Sequence, residues 1–151
     1  MNNNNLNNFF NDNSDIVFHL SNMNLEQIIS LKEKDFCEKN QYAWAPKDAS
    51  DAKDNYEHIL KIVGDISANI IAPYASEVDL EGATFKNGEV IYAKATTRSM
   101  NALKQADLMG FTIPRKYGGI NMPKIIYTMA IEMISRADAS LMNIFGLQEI
   151  A

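Results

Sequence analysis

The sequence predicts an all-α fold, a bundle of about five helices with one small β-hairpin, on three observations. Tyr56, Ile59, Leu60, Val63, Ile66, Ile70 and Tyr74 recur at intervals of three and four, which places them on one face of a long amphipathic helix. Ile125, Ile126, Tyr127, Met129, Ala130, Ile131, Met133 and Ile134 leave only Thr128, Glu132 and Ser135 as a polar stripe. A helix apolar on nearly every side is a central one. Asn87-Gly88, between Thr84-Phe85 and Val90-Ile91, supplies the two positive φ angles of a type I′ turn and so predicts a hairpin.

A chain of 151 residues with 46% hydrophobic content is large enough to bury one real core. Its net charge of −5 and scattered basic residues argue against a nucleic-acid surface, since Lys32, Lys34 and Lys39 alternate with Glu33, Asp35 and Glu38. No apolar run reaches the roughly 20 residues of a membrane span. The start lacks the basic and apolar regions of a secretory signal, so the cytoplasm is the expected compartment. Cys37 is the single cysteine, which excludes an internal disulfide and fits a reducing compartment. Acidic neighbours would keep its thiol protonated and inert.

Residues 1–14 are Asn-rich and of low complexity, and are expected to form a disordered tail, mobile at least to Asn8. Residues 15–151 are read as one helical domain. Ile16, Val17, Phe18 and Leu20 form an apolar cluster, a strand or a turn of helix. Asn24 is placed to cap a helix carrying Leu25, Ile28, Ile29 and Lys32 on one face and fading near Lys39. Pro46 marks a loop. Ser50 or Asp51 is the expected cap of the long helix, Gly64 lies inside it, and Pro73 should kink or break it. A third helix is expected over Thr96–Met109, with Met100, Leu103, Ala106 and Met109 inward and Gly110 ending it. Phe111 to Pro114 reads as extended, because Pro114 keeps Ile113 out of the helical region. Arg115-Lys116-Tyr117-Gly118-Gly119 is a tight loop. Pro123 suits the first turn of the central helix, and Asp138 caps a last helix with Leu141, Ile144, Phe145 and Gln148 on one side.

Self-contained chemistry is not encoded in any recognised pattern. His19 and His58 stand at no metal-ligand spacing, Cys37 has no cysteine partner, and Gly118-Gly119 lacks the wider glycine spacing and the Lys of a phosphate cradle. Such histidines are ordinarily surface or satisfied core residues. No two carboxylates are paired by spacing for acid–base work. Glu132 and Arg136 stand at i and i+4, the favourable order for an ion pair. Their structural reading is a lock between this helix and a neighbour. Their functional reading places Glu132 beside a substrate channel.

The stretch Ala106 to Leu147 carries a resemblance. Asp107-Leu108-Met109-Gly110-Phe111-Thr112-Ile113-Pro114-Arg115-Lys116-Tyr117-Gly118-Gly119, followed by Ile131-Glu132-Met133-Ile134-Ser135-Arg136-Ala137-Asp138-Ala139-Ser140-Leu141, resembles the amino-terminal helical domain of acyl-CoA dehydrogenases. Two signals in the expected order outweigh either alone. Asp15-Ile16-Val17-Phe18, Leu25-Glu26, Asp79-Leu80-Glu81-Gly82 and Asn87-Gly88-Glu89-Val90 are similar to a larger bacterial subgroup, which includes enzymes acting on long-chain acyl-CoA and on methylthiopropanoyl-CoA.

The resemblance implies an FAD-dependent α,β-dehydrogenation of an acyl-CoA thioester by a homo-oligomer. In that enzyme a β-barrel middle domain and a helical carboxy-terminal domain hold FAD and the catalytic base. Neither has a counterpart here, so no catalytic, cofactor-binding or metal residue is assigned and no FAD is expected on this chain alone. The apolar pattern is still running at Ala151, and the expectation is a truncated or partial enzyme whose last two helices expose apolar surface. By the same resemblance, Met142, Asn143, Phe145 and Gly146 border the far end of the acyl channel, with Gly146 leaving room for a longer chain. The alternative is that these four pack against the middle domain. A stand-alone helical interaction module, or the same domain of a related acyl-CoA oxidase or flavin monooxygenase, are the other readings.

Overall fold

The structure is a computed structural model that describes residues 7–147. Its described residues form seven α-helices and one hairpin: α1 (Ser14–Asn22), α2 (Glu26–Glu33), α3 (Ala49–Ile66), α4 (Ala75–Glu81), β1 (Thr84–Lys86), β2 (Glu89–Ile91), α5 (Lys94–Gln105), α6 (Lys124–Ala137) and α7 (Ala139–Leu147). The all-α class with a small hairpin is therefore correct. The helix count is higher than expected because 14–22, where the apolar cluster allows a strand or a turn of helix, and 75–81, for which the sequence assigns no element, are both helical.

The core is assembled around α3 and α6. Ala52, Tyr56, Leu60 and Val63 bring the buried face of α3 against Ile126, Met129, Ala130, Met133 and Ile134 of α6. Leu25 and Ile29 close one side, and Leu103, Leu108 and Phe111 another. Each fully buried Leu, Ile or Phe contributes about 1.5–3 kcal/mol relative to exposure, so this one cluster is the main source of stability.

Caps explain the helix starts. Asn13 Oδ1 accepts from the amides of Asp15 and Ile16 and starts α1. Asn24 Oδ1 accepts from the Glu26 amide at the start of α2. Asp48, not Ser50 or Asp51, caps α3: its side chain accepts from the Asp51 amide at 3.0 Å, while Asp51 accepts from the Lys47 amide at 2.9 Å. This reciprocal pair resembles a capping box, which needs a short acceptor at each end of the first turn. Asp138 Oδ1 accepts from the amides of Ser140 and Leu141, as the sequence led us to expect for α7.

The expected break near Pro73 is present, and the chain continues beyond it. Pro73 has no N–H for an α-helical bond to the carbonyl four residues back. The ladder changes pitch through a π turn, Ser67–Ile71, and a 3-10 turn, Ala72–Tyr74, before α4 resumes. α2 stops at Glu33, well short of Lys39, because Lys34, Asp35 and Phe36 all take positive φ. α5 runs two residues earlier at its start and ends at Gln105, where Asp107 turns left-handed (φ 56°). Of its expected inward residues Leu103 is buried, while Met100, Ala106 and Met109 are half-buried. Residues 111–113 form bends in place of the expected extended run, with the Ile113 amide bonded to the Gly110 carbonyl. The hairpin is as anticipated, with Phe85 opposite Val90 and positive φ at Asn87 and Gly88.

The expected tail over residues 1–14 needs correction. Residues 1–6 lie outside the described residues, but residues 7–13 form a strap across α3 and α6. Phe10 is buried in the core, Asn8 donates to the Lys61 carbonyl, and the Phe9 amide donates to the Gly64 carbonyl. Asn residues here act as connectors to backbone groups, which outweighs their preference for disorder. Gly64 is what admits the strap: a Cβ there would meet Asn8 Oδ1, Phe10 N at 2.6 Å and Phe10 Cβ at 2.9 Å. Arg136 and Glu132 do lock α6 to a neighbour, but by separate bonds. Arg136 forms a bidentate pair with Asp12 (2.7 and 3.1 Å) and covers the Phe9 ring, and Glu132 accepts from Asn13.

The expectation of bare apolar surface on the last two helices is met by Leu147 alone among their described residues. The strap, α3 and α7 cover most of α6. The larger bare surface lies on α4 and the hairpin, where Leu80 is 87% and Phe85 75% exposed alongside Val90 and Ile91.

Gly64→Ala should gain helix propensity of about 1 kcal/mol yet lower overall stability by about 1–3 kcal/mol, because the strap must move off α3. Denaturant melting together with loss of hydrogen-exchange protection at the Phe9 amide measures this. A Gly64→Ala protein of equal or higher Tm would mean the strap does not pack on α3.

Candidate functional site

The corner between α6 and α7 is built from short-range chemistry. Asp138 leaves the helical region (φ −157°, ψ 108°) and caps α7, so the chain reverses in one residue. Tyr127 then ties the two helices: its hydroxyl donates to the Gly146 carbonyl at 3.0 Å. Its ring packs against Phe145 (centroids 6.0 Å) and Phe111 (5.6 Å). Ring pairs at these separations contribute about 0.5–1.5 kcal/mol each beyond burial.

The four residues singled out from the sequence are distributed around α7. Phe145 is buried in the aromatic trio. Met142 is half-buried and Asn143 exposed. Gly146 is half-buried, and a Cβ on it would lie at ordinary contact distance, 3.7 Å, from Ile131 Cδ1 and Met142 Sδ.

Beside this corner lies an open cleft of about 640 Å³, between α4, the start of α5 and the α6–α7 turn. Its wall includes Asp79, Tyr92, Thr96, Ser135, Asp138 and Ile144, over a floor of small residues such as Ala75, Ala93 and Ala139. None of Met142, Asn143, Phe145 or Gly146 lines it. Arg136 reaches its edge, but its guanidinium is committed to Asp12, and that hydrogen bond raises its pKa. A second groove, of about 530 Å³, runs between α3 and the 106–122 loop, with Trp44, His58, Ile62 and Ile120 among its walls.

The strongest electrostatic feature was not foreseen. Arg115 is buried and donates from Nη1 and Nη2 to both carboxylate oxygens of Glu33, at 2.6 and 3.0 Å, with Nη1 also 3.2 Å from Glu38. Burial pulls the Arg115 pKa down, but the hydrogen bonds and charges of Glu33 and Glu38 more than offset this and hold it above its usual value. Tyr56 is buried next to this pair, and desolvation, reinforced by the Glu33 charge, pushes its hydroxyl well above the usual tyrosine range. Lys32 Nζ donates to the Thr112 carbonyl and Asn121 to the Lys32 carbonyl, so α2 and the 111–121 loop are fastened at three points. Glu33 and Arg115 stand 82 residues apart, and no local spacing signals such a pair.

Gly119 belongs to this same loop for a steric reason. A Cβ there would fall on the Ile113 carbonyl, so the chain can double back only with glycine at that position. Gly118 takes a positive φ of 84°. The Tyr-Gly-Gly sequence is thus a backbone requirement, while Tyr117 itself points outward, 72% exposed. Among the described residues no three His, Cys, Asp or Glu side chains come together as a metal site, and no helix is long and apolar enough to cross a membrane.

With that geometry in hand, comparison with known proteins is decisive for the family. The family described as acyl-CoA dehydrogenase, N-terminal domain, matches residues 53–151. The chain belongs to this family. A 3-methylmercaptopropionyl-CoA dehydrogenase of Ruegeria pomeroyi is 28% identical over 94 residues, which is 62% of this chain and 15% of the relative. The chain therefore corresponds to a small part of that acyl-CoA dehydrogenase. The match leaves out residues 7–52, the strap, α1 and α2, although Phe10, Ile16, Leu25 and Ile29 sit in the same core as the matched helices.

Arg115→Leu should cost about 3–5 kcal/mol, since it strands the Glu33 charge in the interior. Replacing both partners, Glu33→Leu with Arg115→Leu, should cost less than the single change, a comparison made by urea melting. A double variant less stable than Arg115→Leu would show that the pair is not the electrostatic unit described.

Proposed function

We propose that this chain is the amino-terminal helical domain of an FAD-dependent acyl-CoA dehydrogenase, contributing a wall of the substrate cavity and docking surface but no catalytic group. The observation that carries this reading is the family match over 53–151, laid on a helical body whose signature residues serve structure: Gly119 for a backbone crossing, Asp138 for a cap, Arg115 for a buried lock. The reaction is the α,β-dehydrogenation of an acyl-CoA thioester, in which a base outside this chain takes the α-proton and the flavin accepts the β-hydride. Further domains of the complete enzyme, a β-barrel and a second helical domain, would hold FAD, and the whole would be a homo-oligomer in the cytoplasm. The curated relative supports a short thioether-bearing acyl group as one substrate candidate.

The described residues do not suit the flavin pyrophosphate. Such a group needs converging N–H donors or cations. The main cleft instead offers the Asp79 and Asp138 carboxylates, and its one arginine is already paired. FAD is accordingly assigned to the rest of the enzyme, and this domain acts by shape. Met142, Asn143 and Gly146 remain the candidates for the distal end of the acyl channel. Phe145 would act from behind, through the packing that sets the pitch of α7.

The experiment is anaerobic titration of the complete protein with acyl-CoA thioesters of graded length. Loss of the oxidised flavin spectrum on addition of a saturated thioester is the expected outcome. A flavin-free complete protein, or a flavin that only hydroxylates with oxygen, would refute the dehydrogenase reading. Within that protein, Gly146→Phe should lower kcat/KM for long thioesters by at least about tenfold, the scale of a few lost methylene contacts, with short ones little changed. Equal effects at all chain lengths would remove Gly146 from the channel.

A further inference from the structure

We infer that α4 and the hairpin form a hinged wall of the cleft beside the α6–α7 corner, latched by Glu81 and able to swing away from the helical body as one unit. From 72 to 92 no residue is buried, whereas Ile71 and Ala93, which bracket the segment, both are. Every residue of both strands is exposed, and a two-stranded hairpin without a covered face is marginal in water. The segment adds little to the core, and elements with few buried contacts open at the lowest free energy. Both of its ends suit a hinge. Before α4 the chain passes through the π turn Ser67–Ile71 and the 3-10 turn Ala72–Tyr74, where the α-helical ladder is broken and Pro73 cannot restore it. After β2, residues 92 and 93 carry no regular structure. Only Gly82 and Ala83 separate α4 from β1, so the helix and the hairpin move together.

What holds the wall in place is local and polar. Glu81, the last residue of α4, accepts from the Lys94 amide through Oε2 at 3.1 Å. Lys94 is the first residue of α5, whose N-cap Ala93 supplies no side-chain acceptor and whose first turn holds no acid. The carboxylate therefore caps α5 from a neighbouring element, and the positive end of that helix favours its charge. Nearer the hinge, the Arg98 guanidinium lies 4.3 Å from the centre of the Tyr74 ring. That contact sits at the pivot and tolerates rotation, whereas the Glu81 bond, at the far end of α4, must break. Val78 and Asp79 line the cleft from the wall, while Thr96, Ser135 and Ile144 line it from the body. Rotation about 67–74 separates the two sets and widens the opening of about 640 Å³. The device depends only on this chain's own packing and is independent of the dehydrogenase reading.

Electron-spin distance measurement across the cleft tests this. Nitroxide labels are placed at Lys86→Cys on the hairpin and Asn143→Cys on α7, in the full chain carrying Cys37→Ser; all three positions are exposed. Two distances are expected. Glu81→Ala should raise the ratio of the longer to the shorter about fivefold, the scale of one lost helix cap. In that variant the Leu103 amide on α5 should keep its hydrogen-exchange protection. A single distance, a broad spread in place of two, or a ratio unmoved by Glu81→Ala would overturn the inference. Loss of protection at Leu103 would do so as well, because Glu81 would then be holding α5 folded and not latching a wall.

Discussion

The approach of the amino-terminal strap to Gly64 governs how the rest of the molecule is closed. α3 and α6 are apolar beyond the face they share, and an apolar helix left half-covered is costly in water. Residues 8–10 come down on α3 at the one position without a side chain, which lets Phe10 enter the core and the Phe9 amide reach the Gly64 carbonyl. From that anchor the chain runs to Asp12 and Asn13, which hold Arg136 and Glu132 on α6. The exposed ion pair adds little by itself; pairs of that kind contribute at most about 1 kcal/mol. Its role is to fix where the strap lies, while burial of Phe10 provides the energy.

Periodicity made the frame legible. The buried faces of α3 and α6 were read directly, as were the Asn87-Gly88 turn and the Asp138 cap, because each is set by residues within one helical turn of one another. Features that depend on distant residues were not readable. Asn8, Phe9 and Phe10 look like part of a polar tail until α3 is placed beneath them. Glu33 looks like one more solvated acid in an alternating charge run until Arg115 arrives from the loop. The break expected at Pro73 begins earlier, at Ser67, because the apolar spacing survives the π turn while the α-helical hydrogen-bond ladder does not.

The family signature has a similar character. Its residues are those without which the loop and corner cannot be drawn: glycine where a Cβ would strike the Ile113 carbonyl, aspartate where a helix must restart in one residue. Sequence could therefore recognise the family while saying little about a site. Of the channel candidates, Phe145 proves to be a core aromatic, and only Met142, Asn143 and Gly146 retain any accessible surface. The hairpin and α4 carry the largest bare apolar side chains, Leu80 and Phe85.

The family match begins within α3, yet the strap, α1 and α2 share one core with the matched helices. The central claim is that the two parts are a single cooperative unit. Native-state hydrogen exchange as a function of denaturant measures it most directly, by comparing amides of Ile16 and Ile29 with those of Leu60 and Ile126. One common opening free energy is predicted for all four. Exchange of Ile16 and Ile29 through a separate, lower-energy opening, with Leu60 and Ile126 still protected, would contradict it.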